Sequence, residues 1–372
     1  MRLQLASAIG VGAIVALIGT AHADGTVSVR GVYYKERATR VVQPMLDGSF
    51  EVGTRGLVVA HFLVDAITSA SASSGAADAT PFTEKRYEGG ASYTHDLDNL
   101  RVSGEAKYST ESDYISMFGG LRGELDLAQK NTVLGVGFGV SRDSISAGSA
   151  QGLATPMIEC TTGMSAAQCP LTATSMFLSA SQILSPNAIA GFTYDISGLK
   201  GYQANPYRSA LADDGFAAER HPNWRLRQAV AASLRYYWPR SQTTFIGAYR
   251  FYRDNWEVNA HTPELRIVQA VGRTADASIR YRYHTQDKAV FYRDRYTTTD
   301  ISVNRYLSDD VKLDDFTNHL FQAKLGILGE AFGMSGRWAG ARFEGILEYV
   351  RQHNRFGNAI IAHVALTVPF EY

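Results

Sequence analysis

The chain has few cysteines, no long apolar run after its first residues, no surplus of charge of either sign and no recognisable catalytic signature. Its only cysteines are Cys160 and Cys169, which excludes a disulfide-dense scaffold. They bracket C-T-T-G-M-S-A-A-Q-C, which holds no His or Asp. In an exported protein such a pair is expected to form a local disulfide that staples a loop rather than a metal site. Lys plus Arg and Asp plus Glu are both 36, so no global charge draws the chain to nucleic acid, and no such partner is expected. Beyond Thr20 no stretch approaches the roughly 20 apolar residues of a membrane helix. Any membrane crossing must therefore use strands closed into a barrel, the other arrangement that pairs every backbone group in lipid.

Motifs for chemistry are missing too. There is no G-x-S-x-G elbow, H-E-x-x-H helix or phosphate-binding glycine loop. Beyond the first 23 residues the histidines are scattered at His61, His95, His221, His261, His284, His319, His353 and His363. No catalytic residue, cofactor or metal site is assigned, and a barrel-embedded hydrolase ranks last among the readings. Asp287, Asp294, Asp300, Asp309, Asp310, Asp314 and Asp315 crowd one loop region, but their spacing fits no calcium loop, and they read as a solvated surface.

What is present begins at the two ends. Met1-Arg2, the uncharged run from Ala6 to Thr20 and the A-x-A site Ala21-His22-Ala23 read as a cleaved signal peptide over residues 1–23, followed by one barrel domain over 24–372. At the other end Ile360, Ala362, Val364, Leu366, Val368, Phe370 and Tyr372 alternate with shorter or more polar residues. This period of two gives a strand with one apolar face, long enough to cross a thin bilayer when tilted. Leu366, Val368, Phe370 and Tyr372 form the expected C-terminal signal for the barrel assembly machinery. Mean hydropathy is slightly negative at −0.14, as expected where only alternate residues meet lipid.

Between the ends, alternation and turn residues mark about sixteen strands, with 14 to 18 as the range. Short turns are placed at 46–49, 96–99, 128–131, 185–187, 239–242, 272–274 and 333–336. The long intervals at 68–81, 144–173, 198–222 and 285–315 all fall on the opposite side. Outer-membrane barrels sort their connections this way, with short periplasmic turns, long outside loops and an even strand number. The fold class is therefore all-β, a transmembrane antiparallel barrel in the outer membrane of a Gram-negative cell, with outer-membrane lipid as its surroundings. No separate plug domain is apparent, although the long loops have the length to fold inward. Tyr33, Tyr93, Tyr108, Trp238, Trp256 and Tyr372 are expected near strand ends as interfacial aromatics.

Charges fall on the face opposite the apolar one. The inward candidates in the second half are Arg225, Arg227, Arg235, Arg250, Arg266, Arg280, Arg282, Lys324 and Arg342, with Glu344 and Glu348 among fewer acids. One reading is a polar lumen whose basic wall favours anionic solutes or an anionic polymer. The other is a ladder of cross-strand ion pairs that fills a closed barrel. Arg86, Arg101, Lys107 and Arg122, alternating with Glu88, Glu105 and Glu124, suit the ladder better. The two functions carried forward are a channel or export pore, with periplasmic export partners in the export case, and a closed structural or adhesive barrel acting through its outside loops.

Several stretches carry a resemblance: Tyr34-Lys35-Glu36-Arg37, Val64-Asp65-Ala66-Ile67-Thr68-Ser69-Ala70-Ser71, Ser109-Thr110-Glu111-Ser112-Asp113-Tyr114-Ile115-Ser116 and Phe291-Tyr292-Arg293-Asp294-Arg295-Tyr296. They resemble an uncharacterised family of Gram-negative outer-membrane proteins known as a domain of unknown function. That resemblance implies a β-barrel, no established substrate and no residue-level role. More loosely, the chain is similar to barrels that serve polysaccharide export systems.

Overall fold

A computed structural model describes residues 24–37, 39–70, 81–145, 169–205, 209–213, 215–298 and 306–370. The expected signal peptide, Cys160 and Tyr372 lie outside the described residues. In chain order the first strands are β1 (Gly25–Lys35), β2 (Thr39–Val52), β3 (Gly56–Ala70), β4 (Pro81–Leu97), β5 (Leu100–Thr110) and β6 (Tyr114–Leu127). There follow β7 (Thr132–Ile145), β8 (Cys169–Ser185), β9 (Ala188–Gly201) and a short hairpin of β10 (Ser209–Ala212) and β11 (Gly215–Ala218). The remainder are β12 (Trp224–Trp238), β13 (Thr243–Asp254), β14 (Asn259–Val271), β15 (Ala275–Gln286), β16 (Phe316–Leu328), β17 (Arg342–Gln352) and β18 (Ala359–Phe370).

All strands except the β10–β11 hairpin form one closed antiparallel barrel of sixteen strands, each paired to its neighbour in sequence, with β9 paired to β12. Closure comes from β1 against β18, with a register running from Gly25 opposite Phe370 to Lys35 opposite Ile360. No barrel strand is left with an unpaired edge, which is the condition for placing backbone in hydrocarbon. The alternation of side chains follows the pleat. Leu121, Ile279, Leu347 and Val364 stand exposed on the outer face, while their sequence neighbours turn into the lumen. The closing strand sends Leu366, Val368 and Phe370 outward in register with Val29, Val27 and Gly25.

Three expectations need correction. Residues 46–49 do not turn; they continue β2, and the reversal lies at 53–55, where Gly53 takes φ +62°. The Asp47-Gly48 turn signal is overridden because β1 needs a partner along its whole length, and Asp47 pairs across the ladder with Arg30 at 2.7 Å. The strands β8, β9 and β14 begin earlier or run longer than periodicity suggests, so the intervals between strands shrink to 146–168, 202–223 and 255–258. A hairpin occupies part of the second of these. Finally, Trp256 is not an interfacial aromatic. It is 3% exposed, packed with Val258, Ala289, Tyr292 and Leu313 beneath the extracellular loops. Tyr33, Tyr93, Tyr108 and Trp238 do stand exposed on the outer face.

Candidate functional site: the lumen and its extracellular cap

Register and parity place every one of the basic candidates on the lumen face. Arg225, Arg227 and Arg235 share it on β12, opposite Asp254 and Ile246 of β13 where the two strands pair. Arg250 on β13 faces Thr262, and Arg266 on β14 faces Arg280 on β15. Arg282 holds the ladder position opposite Glu264 without an ion pair to it, Lys324 on β16 faces Ser278, and Arg342, Glu344 and Glu348 line β17.

The wall they make is only partly neutralised. Arg280 bonds Glu348 at 2.8 Å and lies 3.8 Å from Glu264, which also holds Arg266 at 3.2 Å. Lys324 reaches Glu344 at 2.6 Å, and Arg342 is shared between Glu344 at 2.9 Å and Asp276. Arg225 is held by Asp254, whose carboxylate is fully buried. Among the described residues Arg227, Arg235, Arg250 and Arg282 have no ion-pair partner, and the buried Nε of both Arg227 and Arg282 has no acceptor. A cavity of about 550 Å³ opens beside Arg225, Arg227, Arg250 and His284, with Asp195 and Lys312 also on its wall. Asp195, Asp276 and Lys312 were not singled out from sequence. The first two obey the same alternation, whereas Lys312 comes from a loop and has no periodic signal.

The first half of the lumen is different. Arg30, Arg86, Arg101, Lys107 and Arg122 each have an acidic partner: Asp47, Asp65, Glu124 with Asp126, Glu105 and Glu124 respectively. Between the two charged walls, β7 and β8 turn Gly135, Gly137, Gly139, Ser175, Ser179 and Ser181 inward. Glycine is required at 139 because the Phe118 ring lies across it, and a Cβ there would sit 2.8 Å from that ring.

Over the basic wall the described residues of the extracellular loops form a hydrogen-bonded cap. Asp254 accepts from Tyr252 Oη at 2.7 Å and from the backbone N–H groups of Trp256 and Val258 at 2.9 and 3.1 Å. Trp256 lies under the Arg225 guanidinium, 4.1 Å from ring centre to charge, and donates its Nε1–H to the Trp224 carbonyl at 3.0 Å. The described residues of the two longest loops are joined: the Tyr296 N–H donates to the Leu211 carbonyl at 2.9 Å, and Arg220 and Leu307 exchange backbone bonds at 3.0 and 2.8 Å. The Tyr296 hydroxyl accepts from the Ser308 N–H at 2.9 Å and donates to the Phe291 carbonyl at 2.7 Å. Burial pushes the Tyr296 hydroxyl above its ordinary pKa, which keeps it a neutral donor. Arg355 ties the last loop to Asp309 at 2.6 Å and to Tyr292 at 2.8 Å.

One constellation in the cap resembles a hydrolase set. Ser308 Oγ lies 2.9 Å from His221 Nε2 and donates to Glu219 at 2.7 Å, while His221 Nδ1 donates to the Gln203 carbonyl at 3.0 Å. Ser308 has no exposed surface, so no substrate atom reaches its hydroxyl; the set is a loop clamp. Of the aspartates expected on a solvated surface, Asp287, Asp294 and Asp315 are exposed, whereas the cap uses two: Asp309 pairs with Arg355, and Asp310 caps the turn at Val311–Leu313. Asp300 lies outside the described residues.

The place where oxygen ligands do converge is elsewhere. At the tip joining β5 to β6, Glu84, Glu111 and Asp113 bring carboxylate oxygens within 4.8 Å of one another. Loss of water, then the neighbouring Glu84, raises the Glu111 carboxyl to about 7. Cys169 is buried at the start of β8, but its expected pairing with Cys160 falls outside the described residues.

A closed ladder with an apolar outer face and a charged lumen is a barrel in the outer membrane. Comparison with solved structures agrees on the fold. A bacterial polysaccharide outer membrane secretin is similar over 95% of this chain and 99% of its own, with a TM-score of 0.53 and 9% identity. The outer membrane protein opdK from Pseudomonas aeruginosa aligns over 94% of this chain and 99% of its own, with a TM-score of 0.48 and 10% identity. No curated protein matches the sequence. A model for a family of proteins of unknown function, DUF3570, matches residues 76–354, most of the sequence, and the chain belongs to that family.

Proposed function

We propose that the protein is an outer-membrane channel whose lumen favours anionic solutes or segments of an anionic polymer. One observation carries this reading: four lumen arginines, Arg227, Arg235, Arg250 and Arg282, have no acidic partner among the described residues, and two of them border an open cavity. A desolvated guanidinium with an unused donor lowers the energy of a passing carboxylate, sulfate or phosphate. Sites that bind weakly in series allow entry and release, the condition for conduction. The likeness to a polysaccharide secretin adds acidic polysaccharide to the solutes worth testing.

A second reading, a closed barrel that acts through its loops, is favoured by the clamped cap of 202–223 and 287–315. Planar-bilayer recording separates the two. The channel reading expects stepwise currents from the pure protein and a reversal potential on the anion side in a salt gradient. It expects an acidic oligosaccharide to block more strongly than a neutral one. Absence of steps would sink the channel, and a cation-side reversal potential would sink the basic wall.

A further inference from the structure

Charge on the barrel strands is sorted by face. Every Asp and Glu on the sixteen barrel strands takes the lumen parity. Seven basic residues break that rule by facing outward, and all are exposed and near the extracellular ends of their strands. Lys35 ends β1 and Arg40 is the second residue of β2, directly opposite it. Arg142 on β7, Thr172 on β8, Lys200 on β9 and Trp224 on β12 occupy successive rungs of one row. Lys85, Arg253 and Arg351 hold equivalent places on β4, β13 and β17. None of the seven has an ion-pair partner among the described residues.

Two features make this more than a solvated rim. Like charges directly opposite on one face of an antiparallel pair repel, so the Lys35–Arg40 pair is unfavourable unless an anion lies between them. In addition no outward-facing strand position near the opposite rim is basic, the bases there (Arg55, Lys130, Arg240, Arg273 and Arg337) lying in the turns. There the outward side chains are Phe50, Leu97, Tyr236, Trp238 and Phe370, an aromatic and apolar border. Basic residues that only extended toward water from a lipid-facing site would serve either rim equally.

We infer that the extracellular outer rim is a binding girdle for phosphorylated lipid headgroups of the outer leaflet, with its two foci at Lys35–Arg40 and Arg142–Lys200. Neighbouring strands lie about 4.8 Å apart, so Arg142 and Lys200 stand roughly 10 Å from each other with the Thr172 hydroxyl between them. That spacing suits a headgroup with two phosphates, one held by the Arg142 fork and one by the Lys200 ammonium. Trp224, on the rung beyond Lys200, lies beside the sugar or acyl boundary. The girdle is independent of conduction through the lumen.

The test uses the full protein folded in a neutral detergent and titrated with lipid A, a doubly phosphorylated glycolipid, and with its dephosphorylated form. Bound lipid is counted by native mass spectrometry. The wild type is expected to bind the phosphorylated form at least tenfold more tightly. Lys35→Ala/Arg40→Ala/Arg142→Ala/Lys200→Ala should remove most of that preference, and Lys35→Arg with Arg40→Lys should keep it. The lumen variant Arg227→Ala/Arg250→Ala should bind lipid as the wild type does. Equal binding of the two lipids by the wild type would overturn the girdle, whether or not the fourfold variant folds. So would undiminished phosphate preference in a folded fourfold variant, or its loss in the lumen variant.

Discussion

The two charged walls of the lumen use the same residue types and do different things with them. On β1 to β6 each inward base meets an acid at ion-pair distance, and Arg101 meets two, Glu124 and Asp126, both at 3.2 Å. On β12 to β17 bases outnumber acids, and Arg227, Arg235, Arg250 and Arg282 have no ion-pair partner among the described residues. A wall of closed pairs rigidifies a barrel and contributes little net field. A wall with surplus guanidinium groups costs stability through self-repulsion and desolvation, and a cost retained in a lumen points to a ligand of opposite charge. In the proposed channel the paired wall is the structural element and the surplus wall the functional one.

The sharpest way to stress this contrast is at the one acid that the basic wall depends on. Asp254→Ala leaves Arg225 buried beside Arg227 and removes the acceptor that orders Tyr252, Trp256 and Val258. Breaking a buried pair of this kind costs about 3–5 kcal/mol, to be read as a lower urea midpoint for the barrel in vesicles. The same measurement should show fast exchange of the amides around Trp256. A loss below about 1 kcal/mol would mean that the pair is screened by water and that the wall is not desolvated.

The next largest effect is on selectivity. Arg227→Ala/Arg250→Ala/Arg282→Ala should move the reversal potential most of the way to neutral, while stability changes by less than about 0.5 kcal/mol per site because no ion pair is lost. Arg101→Ala should do the opposite. It leaves Glu124 to Arg122 alone and Asp126 with only Lys130 at 3.9 Å, costing roughly 1–3 kcal/mol, and shifts selectivity by much less than the triple variant. Equal shifts from the two variants would erase the distinction between the walls.

How far the molecule could be read in advance follows from where its physics is periodic. Strand parity is a strictly local property, so the lumen face of Arg225, Arg250, Arg280 and Glu348 was legible from alternation alone. The barrel followed from the sorting of short and long connections. Asp47-Gly48 misled because turn propensity is local while the need of β1 for a partner is not. Trp256 misled because an aromatic near a strand end serves equally as an interfacial anchor or as the floor of a loop core. The ion pairing that separates the two walls depends on neighbours across strands, such as Arg342 with Asp276, 66 residues apart. The Ser308, His221 and Glu219 clamp joins two loops with no period at all, which is why no sequence signal announced it.

The smallest effect sits at the rim of the paired wall, where three carboxylates, Glu84, Glu111 and Asp113, converge. Glu111 faces Glu84 and Asp113 with Asp65 beyond, and only Arg86 opposes them. Its carboxyl titrates at about 7, above its value in an unfolded chain, so the folded tip holds a proton that the unfolded chain releases. The sign follows from linkage: stability of the tip is gained as pH falls through about 7, is fully present below the unfolded value of about 4.3, and is lost as pH rises. The Glu111 N–H donates to the Tyr114 carbonyl at 2.7 Å across this tip, which makes that amide the reporter. Its hydrogen-exchange protection, corrected for the intrinsic pH dependence of exchange, should fall between pH 6 and pH 8, and Glu111→Gln should flatten the profile. A slope of the opposite sign, or an unchanged slope in Glu111→Gln, would show that the tip is held by the Arg86–Asp65 pair alone and that the paired wall extends unbroken to its rim.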